Sequence, residues 1–200
     1  MKRLSVLSSA LLLLGAVAFG QGLTQADRDR GVEYLQKTRD GVVEAVKGLS
    51  DAQMKFKAAP DRWSVAETLE HIAKSEDFIF QNVTDNVMKA PAGPAGRDTA
   101  KIDALVLARI PDRSHKVQAP APLVPTGNWT PAETLDHFLK SRATTIAFME
   151  STPDLREHVT DSPLGQPLDA YEWLLYIGAH SERHTKQILE VKADPGFPKS

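Results

Sequence analysis

Cysteine is absent from the chain, which excludes disulfides, thiolate nucleophiles, Cys-ligated zinc and iron–sulfur clusters. Any bound metal must therefore be held by the six histidines and by carboxylates. Charge of one sign is also missing. Lys and Arg number 24 against 26 Asp and Glu, a formal net charge of −2, so no basic field recruits nucleic acid. Aromatic residues make up only 6%. The one long apolar run lies at the start of the chain, which excludes a polytopic membrane protein. No segment alternates apolar and polar residues long enough to read as a firm strand. What remains is 42% hydrophobic and 25% charged over 200 residues, the profile of a single globular domain.

The first twenty residues stand apart. Met1-Lys2-Arg3 is a short cationic start, Leu4–Phe19 an apolar run, and Gly20-Gln21-Gly22 a small, polar exit. This is the three-part layout of a secretory signal peptide, with cleavage after Ala18 or after Gly20. The run is shorter than the roughly 18–20 apolar residues of a membrane span, and no Cys follows it to carry a lipid. Residues 1–20 are therefore read as a signal and 21–200 as the folded domain. The mature protein is expected in the periplasm or outside the cell, without a membrane anchor.

The mature chain reads as helices separated by proline-rich breaks. Thr24 to about Lys47 repeats Val32, Leu35, Val42, Val43 and Val46 at helical spacing. Ser50-Asp51-Ala52-Gln53 is a capping-box pattern opening a short helix that ends before Pro60. A second main helix runs from Ser64 to about Lys89, a third from Pro131 to about Ser151, and a fourth from about Leu168 to Ala193. Between the second and third lies a long irregular stretch, Ala90 to Asn128, helical only within Asp98–Ile110. Four main helices with one long crossover predict an all-α four-helix bundle. The crossover is long enough to return along the bundle and let helices two and three run parallel.

Two segments repeat. Trp63-Ser64-Val65-Ala66-Glu67-Thr68-Leu69-Glu70-His71 matches Trp129-Thr130-Pro131-Ala132-Glu133-Thr134-Leu135-Asp136-His137 at an offset of 66 residues. Both copies are S/T-x-x-E capping boxes, so Glu67 and Glu133 read as helix caps rather than catalytic carboxylates. Capping alone does not require the repeated histidine.

The residues best placed for chemistry are His180 and His184. Histidines four apart share a helical face and can hold one metal. Ser181 stands where zinc proteases of the H-E-x-x-H type have their glutamate, so that chemistry is not implied. A helical wheel centres both on the stripe Trp173, Ile177, Ile188 and Val191, pointing inward. Spacing alone fits either a metal pair or two core histidines satisfied by hydrogen bonds. His71 falls off the centre of its stripe, beside Glu67 and Phe78, a flank position by periodicity. His137 is placed the same way on helix three. His115 and His158 lie in loops and read as solvated.

The segment Trp63–Ile72, preceded by Leu49-Ser50 and Pro60, resembles the second-helix motif of the DinB-like (damage-inducible) superfamily. Gly178-Ala179-His180-Ser181-Glu182-Arg183-His184-Thr185-Lys186-Gln187-Ile188 resembles its fourth-helix motif. The resemblance implies an up-down-down-up bundle and a divalent metal, Zn, Ni, Fe or Mn, held by His71, His180 and His184. It places His71 inside despite the wheel, on a packed face that Phe78 extends, and it gives His137 no role. Relatives include thiol-dependent transferases and many members described as metal-dependent hydrolases. Export removes a protein from the thiol-rich cytoplasm and tips the expectation toward a hydrolase on a small-molecule substrate. The alternatives are a thiol-dependent transferase and a non-catalytic metal- or ligand-binding stress-response bundle. A homodimer is also compatible with a bundle of this kind.

Two geometric expectations follow. Glu76 and Arg142, each 13 positions after the tryptophan of its repeat, lie on apolar stripes. Unpaired charges are rarely buried, so in parallel, in-register helices they should pair, unless both reach out to solvent. The three imidazoles should converge to within about 3–4 Å of one another if they share a metal. Glu182, close in sequence to the pair, points away from it and is no candidate base.

Overall fold

The computed structural model describes residues 22–199; the signal-peptide reading of residues 1–20 lies outside them. Six helices carry the fold: α1 (Gln25–Val46), α2 (Asp51–Lys55), α3 (Val65–Asp85), α4 (Thr99–Arg109), α5 (Pro131–Ser151) and α6 (Ala170–Lys192). Helices α1, α3, α5 and α6 form a four-helix bundle, and α2 and α4 are short elements of its connections. Among the described residues no helix is long and apolar enough to cross a membrane.

Local chemistry sets the helix starts. Ser64, Thr130 and Asp169 each accept a hydrogen bond from the backbone N–H three residues on. Glu67, Glu133 and Glu172 return the bond to the cap residue's own N–H, so the boxes read from the repeat are real caps. Ser50 and Gln53 do the same for α2. The second main helix is shorter than its apolar pattern, because α3 stops at Asp85 and Val87–Lys89 tightens into a 3-10 turn. The fourth also starts later. Leu168–Asp169 pairs antiparallel with Val159–Thr160 as a two-residue ribbon, too short for any alternation to reveal.

Side-chain contacts fix the direction of each helix. Asp77 meets His137, Glu76 meets Arg142 and Phe80 packs on Phe148, so α3 and α5 run parallel. Tyr171 bonds Asp27, Tyr34 bonds Glu182 and Lys192 bonds Ala45, so α1 and α6 also run parallel. His71 near the start of α3 meets His184 in the second half of α6, which makes those two helices antiparallel. Gly31 and Gly178 let α1 approach closely: a Cβ on Gly31 would lie 2.6 Å from Met149 Sδ, and one on Gly178 3.0 Å from the Tyr34 ring.

The apolar core divides in two. One part gathers Leu35, Ile79, Val83, Ile146, Met149, Leu174 and Ile177. The other gathers Val42, Val65, Leu69, Ile72, Phe138, Ile188 and Val191. A polar layer of Thr38, Glu76, Arg142, Thr145 and Ser181 lies between them, all buried. Arg142 donates to Glu76 from Nε at 2.8 Å and from Nη2 at 2.7 Å, with both side chains at 0% exposure. The in-register pairing expected from the sequence is present, and neither charge reaches solvent. Removing one partner of such a pair strands the other charge in the core. Arg142→Met should therefore cost about 3–5 kcal/mol in urea unfolding, and Glu76→Gln combined with it should cost less than the two single changes added. Strict additivity would show that the two residues do not act as a unit.

Candidate metal centre

His71 lies in the second turn of α3, and His180 and His184 lie one turn apart on α6. Antiparallel packing brings them to one point. Their ring centroids are 4.4 to 5.0 Å apart, and one nitrogen from each lies within 4.8 Å of the others. The closest pair, His71 Nε2 and His180 Nε2, is separated by 3.3 Å. That matches the separation of about 3.3–3.4 Å between two nitrogens on a tetrahedral ion at 2.0–2.1 Å. The full set lies within 4.8 Å, close to the 3–4 Å expected.

His71 is only 3% exposed. The wheel placed it on a flank because it scored packing against other helices alone. The missing cover comes from the crossover, whose Leu123 carbonyl sits 2.8 Å from His71 Nδ1. Phe78 does not extend the packed face as expected; it is 50% exposed. His184 is 8% exposed, and His180 is partly exposed. Trp63 forms a wall, its ring 4.8 Å from that of His71 and 6.4 Å from that of His184. Tyr176 stacks on His180 at 6.4 Å.

The neighbours also fix the protons. A carbonyl oxygen only accepts, so His71 Nδ1 carries the hydrogen and donates it to Leu123, leaving the Nε2 lone pair free. His184 Nδ1 is 2.9 Å from Gln187 Oε1, an oxygen that also accepts from Arg113 Nη1 at 3.2 Å. Arg donates only, which identifies that Gln187 atom as the oxygen and makes His184 Nδ1 the donor. Such outer bonds orient metal-binding imidazoles. Gln187 went unnoticed in the sequence, although its place three residues after His184 on one helix face was the available signal.

Burial disfavours imidazolium at all three positions, and the neighbouring rings add to it at His180 and His184. It lowers the pKa of His71, holds His180 well below the usual histidine value and pushes His184 down to about 3. Neutral imidazoles with inward lone pairs fit a divalent cation.

The remaining histidines are elsewhere. His137 is half-exposed, lies tilted against Trp129 with ring centroids 4.8 Å apart and bonds Asp77 at 2.6 Å. His115 is exposed as expected. His158 is only partly solvated: its side chain is 28% exposed, but its Nδ1 is buried without a partner, where the segment bridges Ala92 of the crossover. Glu182 faces α1, accepting from the Tyr34 hydroxyl at 2.9 Å, and takes no part in the cluster.

Residues 34–188 match the family model of the DinB superfamily. The chain belongs to the DinB superfamily. It is 28% identical over 149 residues to YuaE of Bacillus subtilis (strain 168), covering 74% of this chain and 88% of that protein. Its fold is similar to that of YfiT from Bacillus subtilis, with a TM-score of 0.56 at 15% identity over 92% of this chain and 97% of the other. YfiT is described as a probable metal-dependent hydrolase with an unusual four-helix bundle topology.

The buried neutral histidines make a pH prediction for the metal-free protein. Unfolded histidine takes up a proton below about pH 6.5, whereas His184 stays neutral in the folded state down to about 3. The stability it contributes is full above the unfolded value and is lost as pH falls below it. Between pH 7.5 and 5.5 this loss is about 1.4 kcal/mol for one histidine. Urea midpoints should drop over that interval, and His184→Gln should flatten the slope. An equal slope in both proteins would place His184 in water.

Proposed function

We propose that this DinB-superfamily protein is a metal-dependent hydrolase holding one divalent cation on His71, His180 and His184. The observation that carries the reading is the convergence of three neutral imidazoles, two with their Nδ1 hydrogens already committed to oxygen acceptors. Three apolar side chains would fill the same space without the cost of buried polar atoms. Three protein ligands leave coordination positions open, as catalytic rather than structural sites do.

A divalent ion in this site supplies Lewis acidity toward an oxygen of water or substrate. The chain's own residues hold and shield it. Leu123 and Gln187 set the tautomers, Trp63 walls one side, and the partly exposed His180 marks the side nearest solvent. The similarity to YfiT supports a hydrolase, and so does the signal-like start, which would carry the protein away from cytoplasmic thiols. We place the mature protein in the periplasm or outside the cell and its substrate among small molecules with ester, amide or phosphoester bonds.

Metal analysis of protein purified from its native compartment should find one divalent ion per chain. Ala at His71, His180 or His184 should abolish it, and His137→Ala should leave it intact. Titrated Ni(II) or Co(II) should quench Trp63, and Trp63→Phe should remove that response. Gln187→Leu should weaken metal affinity about 10–100-fold, the usual consequence of losing a ligand's outer hydrogen bond. Hydrolysis of a panel of ester, amide and phosphoester substrates should vanish on chelation and return with metal. Silence across the panel with metal bound would favour the non-catalytic reading, and a chain unable to take up metal would overturn both.

A further inference from the structure

Among the described residues, Ser75 carries the one buried hydroxyl on the four long helices left without a partner. Its side chain is 1% exposed and its Oγ makes no hydrogen bond. The common solution for a helical hydroxyl is to bond the carbonyl four residues back. Thr38, Thr68, Thr134, Thr144, Ser151 and Thr185 all do so. Ser141 and Ser181 instead bond Asp77 and Arg142. Thr84 bonds Gln81. A buried polar atom without a partner costs desolvation with no return, and native proteins rarely keep one unless something else satisfies it.

Position indicates what that is. Ser75 lies one turn after His71, about 40° around the helix at 100° per residue, turned away from the exposed Phe78 and from Lys74, which bonds the crossover. Because α3 and α6 are antiparallel, one turn beyond His71 on α3 is level with the His180 side of the cluster. This register sets Ser75 one turn along α3 from His71, toward the end of the cluster that holds the partly exposed His180.

We propose that Ser75 is a positioning residue whose hydroxyl hydrogen-bonds the small oxygen or nitrogen ligand, water or anion, that fills the coordination position left open by His71, His180 and His184. The inference rests on the three-histidine metal reading. A hydroxyl both donates and accepts, so it serves neutral water and an anion alike. It adds no charge to the site and leaves the metal's own affinity to the histidines.

The test uses the full chain loaded with Co(II), with azide titrated against the visible absorption of the ion. Ser75→Ala should keep one Co(II) per chain and a native thermal midpoint, yet bind azide about five- to tenfold more weakly, the effect of one net hydrogen bond. Ser141→Ala, at the equivalent place in the repeat, should bind azide as the unaltered protein does. Equal azide affinity with and without the Ser75 hydroxyl would overturn the proposal and make Ser75 a small packing residue at the α3–α6 crossing. Metal uptake without any azide binding to the unaltered protein would overturn it too, since no open position would exist. Failure of the unaltered protein to take up Co(II) would overturn the metal reading itself.

Discussion

A guanidinium sealed from water must find a partner for each of its five N–H groups inside the protein, and Arg142 finds them on all the other long helices. Nε and Nη2 bond the Glu76 carboxylate on α3. Nη1 bonds the Leu35 carbonyl and the Thr38 hydroxyl on α1, and Nη2 also bonds Ser181 on α6. Thr145 satisfies the carboxylate's remaining need with a bond to Oε1. A buried ion pair is a weak source of stability against an apolar alternative. Its consequence here is specificity. Apolar side chains tolerate a slide of one helix along another, but this layer does not, because a slide of one turn would strand a charge.

That constraint reaches the histidines through short stretches of rigid helix. Ser181 directly follows His180, and Glu76 lies five residues after His71, so fixing Ser181 and Glu76 around Arg142 fixes the heights of α6 and α3 at the cluster. The crossover is tied to the same two helices by residues adjoining the histidines. Glu70 accepts from the backbone of Thr126 and Gly127, and Lys74 bonds the Val124 carbonyl. Arg183 donates to the carbonyls of Asp112 and His115, and Arg113 holds Glu190 and Gln187. The loop that supplies the Leu123 carbonyl is thus positioned by the helices it covers, and the hydrogen bond that orients His71 follows from the fold.

Most of the architecture was legible because it is written in local terms. Capping boxes depend on residues three apart, so the starts of α2, α3 and α5 could be read directly. The Glu76–Arg142 pair could be read because two charges on apolar stripes at matching positions need each other. The pair His180 and His184 was visible as a spacing, but its purpose was not, since hydrogen-bonded core histidines share that spacing. Burial of His71 depends on Leu123, which is 52 residues away in the chain, and no helical wheel contains a loop. The ribbon before α6 and the buried Nδ1 of His158 escaped for the same reason: each depends on a distant segment docking, not on a local pattern.

The repeat shows how little separates a candidate site from a surface feature. Trp63 and His71 lie 4.8 Å apart, and Trp129 and His137 also lie 4.8 Å apart, so the shared motif builds the same aromatic–imidazole pair twice. The pairs differ in what faces them. His71 Nε2 meets His180 on α6, whereas His137 Nε2 donates to the Asp77 carboxylate and is occupied there. Diagonal placement in the bundle keeps α5 away from α6 except at the Arg142 layer, so His137 has no imidazole to join. The motif supplies a well-held histidine, and helix topology decides which copy joins the three-histidine cluster. The same logic applies one turn later. Ser141 spends its hydroxyl on Asp77, while Ser75, on the copy whose histidine meets α6, has no partner for its buried hydroxyl.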